Sequence, residues 1–85
     1  MFKIVPVAAT PSSVRTLVGD GISRHTKGIA LQAPLTNAAN LYFGDKNQQP
    51  AFIPPGASSD VMPVDSTGDL HILGTVGDDV IIMIF

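Results

Sequence analysis

The residues able to do chemistry are few: two histidines, seven acids and a scatter of serines, with no cysteine. His25 falls in an expected loop and His71 on an expected strand. Either could pair with an acid, but a small protein offers such pairs by composition alone, and a surface hydrogen bond explains each histidine more simply. No Gly-x-Ser-x-Gly elbow occurs, so no serine is set up as an activated nucleophile. A small hydrolase using His71 with Asp60 or Asp69 is the least favoured reading, and the expectation is a protein that is not an enzyme. Asp78-Asp79 and the Asp65/Asp69 pair flank turns. Adjacent acids point to opposite sides of an extended chain, and neither group follows a calcium-loop pattern. As turn formers they are explained by side-chain to backbone hydrogen bonds. Gly19-Asp20-Gly21 lacks the third glycine, the lysine and the helix of a phosphate loop. Neither cofactor nor metal is expected.

The elements that would position these groups are short apolar runs, spaced about ten residues apart and separated by Asn, Asp, Gly and Pro. That spacing is the signature of an all-β sandwich or barrel. Phe2 to Val7 reads as a strand with Phe2 and Ile4 on one face. Val14 to Val18 reads as a second, with Val14, Thr16 and Val18 on one face. Lys27 to Ala33 turns Ile29, Leu31 and Ala33 inward, and the strand after it turns Ala39, Leu41 and Phe43 inward. The link from Pro34 to Ala38 is short enough for a hairpin between them. Gly44 to Pro50 is a polar loop that contains Lys46. Phe52-Ile53, Ser58 to Val64, and Leu70 to Gly74 complete the run of strands. No helix is expected, because β-branched residues and flanking glycines oppose one between Ser13 and Gly19.

The last run, Val80-Ile81-Ile82-Met83-Ile84-Phe85, decides the most. With a period of two, Val80, Ile82 and Ile84 cover one side and Ile81, Met83 and Phe85 the other, so both sides must be covered. In one domain of 85 residues the second cover is expected from another copy of the chain. The composition agrees: 45% of the residues are hydrophobic and only 14% charged, little charge for the large surface of a small domain. The net charge is −2, and Lys3, Arg15, Arg24, Lys27 and Lys46 form no basic stripe, so no nucleic-acid partner is expected. No apolar run reaches the length of a membrane span. The start of the chain lacks a signal-peptide layout, because Pro6 interrupts its apolar run.

One series of motifs is more specific. Ile29-Ala30-Leu31-Gln32-Ala33 precedes Asn40-Leu41-Tyr42-Phe43-Gly44-Asp45. Then follow Phe52-Ile53-Pro54-Pro55-Gly56-Ala57, Met62-Pro63-Val64, Asp69 to Thr75 and Val80-Ile81-Ile82. From Lys27 to Phe85 this resembles the small β-sandwich modules among the virion structural proteins of tailed bacteriophages. The resemblance implies a small antiparallel β-sandwich, jelly-roll-like, of about eight short strands in a single domain, 1–85. It implies a capsid decoration (cement) protein or fibre-base module without enzymatic activity, assembled in the host cytoplasm into the virion. The chain carries no fibre shaft or repeat, which favours the decoration protein, expected as a homotrimer clamped on the major capsid protein. The self-interface is expected at Ile81, Met83 and Phe85, and the capsid contacts at Phe2, Ile4, Arg24 and Lys46. The alternative is a tail- or head-fibre accessory that binds a receptor or glycan through Tyr42 and the loop from Asp45 to Gln49.

Overall fold

The structure is a computed structural model and describes residues 2–19 and 26–85. It is all-β apart from one short helix, with two antiparallel sheets. In chain order the elements are β1 (Phe2–Pro6), β2 (Ser12–Ser13), α1 (Val14–Val18), β3 (Ile29–Gln32), β4 (Leu41–Gly44), β5 (Ala51–Ile53), β6 (His71–Leu73) and β7 (Asp79–Ile84). One sheet has the order β1-β7-β3 and the other β2-β6-β4-β5. The strand nearest the C-terminus is therefore the centre of the first sheet, flanked by β1 on one side and β3 on the other.

Period-two alternation puts one apolar set of each sheet into a single core. Val5 and Val80 are opposite each other, as are Leu31 and Ile82, and Ile29 and Ile84. All six are buried, and they meet Leu41, Ile53 and Ile72 from the second sheet in one cluster. Phe43 is partly buried against that cluster, as its inward position in β4 predicts. Burying each such side chain stabilises the fold by about 1.5–3 kcal/mol.

Three local expectations are corrected. Val14 to Val18 is a helix and not a strand. The Ser13 hydroxyl accepts the Thr16 N–H at 3.1 Å, which caps the first turn, and the Gly19 N–H closes the last on Arg15 O at 3.0 Å. Val14 and Val18, four residues apart, thereby face the core together, and both are buried. Packing of that i, i+4 pair outweighs the β preference of the valines, a difference of a few tenths of a kcal/mol per residue.

The link from Pro34 to Ala38 does not close a hairpin, because β3 and β4 lie in different sheets. Asn37 and Asp78, both buried, hold the crossing. Asn37 Nδ2 donates to Asp79 O at 2.7 Å and Asn37 Oδ1 accepts the Asp79 N–H at 2.9 Å. The Asp78 carboxylate accepts the N–H groups of Ala38 and Ala39 at 2.8 and 3.1 Å. The Asp78 side chain thus bonds across 40 residues, while its main-chain N–H closes its own turn on Thr75 O at 3.0 Å.

Ser58 to Val64 is not a continuous strand. It runs beside β3 and touches it in two isolated bridges, Gln32 with Ser58 and Ile29 with Met62. Met62 and Ile29 exchange both main-chain bonds, but Leu31 donates its N–H to the Ser59 hydroxyl. Three residue steps from Ser59 to Met62 oppose two from Leu31 to Ile29, and the extra residue breaks the ladder as a bulge does. Just upstream, Pro54-Pro55-Gly56-Ala57 forms a tight turn closed by Ala57 N–H to Pro54 O at 3.0 Å. Gly56 has φ +85° there, the left-handed region that the third residue of a type II turn needs.

Candidate functional site

The outer face of the β1-β7-β3 sheet gathers the residues singled out in the sequence. Phe2 is opposite Met83, and Ile4 is opposite Ile81. Ala30 and Gln32 of β3 lie opposite Met83 and Ile81 from the other side. Directly opposed residues of an antiparallel pair share a face, so Phe2, Ile4, Ile81 and Met83 form one surface. Phe2 is 73% exposed and Ile4 62%, while Ile81 and Met83 are half-buried. Phe85 continues the β7 alternation on this side and is 57% exposed. Its backbone is fixed by Phe85 N–H to Gly28 O at 3.0 Å and Lys27 N–H to Phe85 O at 2.9 Å. No side chain of this set is charged.

The expected self-interface (Ile81, Met83, Phe85) and two of the expected capsid contacts (Phe2, Ile4) are therefore neighbours on one face. Lys46 is elsewhere, exposed in the β4–β5 loop of the other sheet. Arg24 lies outside the described residues, as does His25.

The second sheet also carries aromatics on its outer face. Tyr42 is opposite Phe52 on one side and Leu73 on the other. The rings of Tyr42 and Phe52 have centroids 6.2 Å apart and are tilted by 45°. The alternation of β4 makes Tyr42 an isolated outward aromatic in the sequence. Its companion comes from β5, and only the cross-strand register reveals it. The loop beside it is ordered by Asp45, whose Oδ1 accepts the N–H groups of Asn47 and Gln48 at 2.8 and 2.9 Å. Those two amides, Gln48 first, hold the Asp45 carboxyl below its usual range, with a smaller pull from His71. Gln49 Nε2 donates to Asp45 O at 2.7 Å.

No known protein family, curated protein or solved structure matches this chain. The functional argument therefore stays with the residues themselves.

His71 is half-buried on β6, opposite Gly44 and Ser13, and its buried Nδ1 meets no hydrogen-bond partner. Among the described residues, no three His, Asp or Glu side chains gather as metal ligands would, and no helix is long and apolar enough to cross a membrane. Arg15 packs its guanidinium over Gly68 and donates Nη2–H to the Ser66 hydroxyl at 2.9 Å. That contact ties α1 to the turn before β6.

Proposed function

We propose that this chain is a virion structural protein of a tailed bacteriophage, a capsid decoration protein of jelly-roll-like sandwich fold that works as a homo-oligomer. The observation that carries the reading is the outer face of the β1-β7-β3 sheet, where Phe2, Ile4, Ile81, Met83 and Phe85 present large apolar side chains and Asp79, opposite Pro6, is the charged residue at one end. Contiguous apolar surface of this kind marks an association site. The motif series from Ile29 to Ile82 and the all-β fold support the virion assignment. The action is mechanical. Each copy buries its outer face within the assembly and adds binding free energy to the closed shell, which opposes the pressure of packaged DNA. Phe2 and Ile4 meet the capsid protein or the neighbouring copy.

Cosedimentation with purified heads that lack decoration tests this reading. The chain is expected to saturate such heads at a fixed number of copies and to raise the temperature at which they rupture. Ile4→Lys and Met83→Lys are expected to abolish both effects while the chain stays folded. Absence of the wild-type chain from the head fraction would refute the reading.

The exposed Tyr42–Phe52 pair favours a second reading, a fibre accessory that stacks a sugar ring against the aromatics beside the Asp45 loop. Glycan-array hits that vanish in Tyr42→Ala would establish it.

A further inference from the structure

The four sheet edges are not treated alike. The outer edge of β3 is occupied by residues 56–62, through bonds between Gly56 and Ala33, Ser59 and Leu31, and Met62 and Ile29. The β5 edge, Ala51–Ile53, is bracketed by Pro50 and Pro54, which cannot donate to a ladder. The β2 edge is two residues long and follows Pro11. Only β1 combines a five-residue length with an outer edge that no strand covers among the described residues.

The direction of its backbone groups follows from the ladder. Val7 donates its N–H to Asp78 O at 3.0 Å, so Val7, Val5 and Lys3 point their main-chain groups at β7, and alternate residues point theirs away. The far side of β7 agrees, since Phe85 donates to Gly28 O and is thus aimed at β3. Phe2 N–H, Ile4 N–H and the carbonyls of Phe2, Ile4 and Pro6 are consequently directed outward. A lysine is a common guard against edge pairing. Lys3 does not serve as one, because its Nζ is drawn inward to Val18 O at 2.7 Å.

We infer that β1 pairs antiparallel with β1 of a second copy about a two-fold axis at Ile4, joining two three-stranded sheets into one of six strands. The occupant is a second copy because the edge is compatible with itself. Across the axis Ile4 meets Ile4 of the partner subunit and Phe2 meets Pro6 of the partner subunit. No charged side chain faces its own image on the outer surface, and because Pro6 has no N–H each Phe2 carbonyl goes without a bond from Pro6 of the partner subunit. The pair exchanges N–H···O bonds at Ile4, and each Phe2 N–H reaches a Pro6 carbonyl. The joined sheet carries both copies of the apolar face on one continuous surface. This geometry gives a dimer, not the trimer implied by the phage resemblance, and it does not depend on the virion reading. A dimer built this way that ignores heads would sink that reading and leave the edge pairing standing.

Sedimentation equilibrium and amide hydrogen exchange test the inference. The expected species has twice the chain mass, with the Ile4 amide protected at high concentration and exchanging as an exposed amide on dilution. Ile4→Pro removes the outward N–H without touching the β1–β7 ladder, and it should weaken dimerisation about 10- to 100-fold. Ile4→Thr, which keeps the N–H, should retain the pairing. A monomer, a trimer, or a dimer whose Ile4 amide exchanges freely would overturn the inference. Should Ile4→Pro fail to fold, the wild-type Ile4 exchange rate decides the matter alone.

Discussion

Ile4 stands directly opposite Ile81 across the β1–β7 pair, with both side chains on the outer face of the sheet. The two residues lie near opposite ends of the chain and belong to segments that the sequence assigns to different contacts. Their apposition makes one surface of two. Replacing Met83 and Phe85 together by Ser should therefore leave nothing larger than the edge-paired dimer, with native circular dichroism. An unchanged mass in light scattering would remove these two residues from the interface.

The two faces of β7 should respond differently to truncation. Ile82 is fully buried, whereas Ile81 is half-buried on the other side. Ile82→Ala should cost about 2–5 kcal/mol through lost burial and the cavity left behind. Ile81→Ala should cost about 1 kcal/mol in the monomer. Urea denaturation at low protein concentration measures both, and equal losses would contradict the inward and outward assignment.

Asn37, buried, exchanges bonds in both directions with the Asp79 main chain, and the buried Asp78 carboxylate accepts from the amides of Ala38 and Ala39. Asn37→Ala leaves the Asp79 main-chain groups unpaired and should cost about 1–3 kcal/mol. Asp78→Ala should cost at least as much, since two N–H groups lose a charged acceptor. Urea midpoints compared at constant slope check both.

Much of this architecture is legible in the sequence. The inward sets Ile29/Leu31, Leu41/Phe43 and Val80/Ile82/Ile84 follow from alternation alone, because in a half-buried sheet side-chain direction is fixed by position parity. What alternation cannot supply is which strand lies beside which. The crossing at Pro34 to Ala38 depends on bonds to Asp78 and Asp79 some 40 residues away, and the Tyr42–Phe52 pair depends on register. The helix at Val14 did leave a local trace. Ser13 with Thr16 is a cap, Gly19 is a stop, and Val14 and Val18 recur at helical spacing. In five residues that trace is outweighed on paper by β-branched composition. The union of Phe2, Ile4, Ile81 and Met83 had no local trace at all.

Removing the cap at α1 tests that reading. Ser13→Ala should destabilise the protein by about 1 kcal/mol, and Ser13→Asp should restore most of the loss. A neutral Ser13→Ala would mean that Val14 and Val18 hold the helix by packing alone.

Acid should loosen the β4–β5 loop. Asp45 is exposed and its carboxyl is held below the ordinary aspartate value by the Gln48 and Asn47 amides. A group with a depressed folded value adds stability that is present above its unfolded value and is lost as pH falls through the folded one. The Asp45 carboxyl carbon should therefore titrate with a midpoint below that of an ordinary aspartate. The Asn47 and Gln48 amide shifts should follow the same curve, and Asp45→Asn should abolish the transition. A midpoint at or above the ordinary value would show that the loop bonds do not persist in solution.

The position of β7 at the centre of its sheet sets the order of events during synthesis. Both β1 and β3 take their ladder partner from residues 79–84, and until those residues are made β3 has only the isolated bridges to residues 58 and 62. The nascent chain must carry Phe2 and Ile4 without their ladder partner until residues 79–84 have been made. Closure of this sheet is then a late, long-range event. A chain truncated before Asp79 loses the partner of both strands at once, so its first sheet cannot form in part.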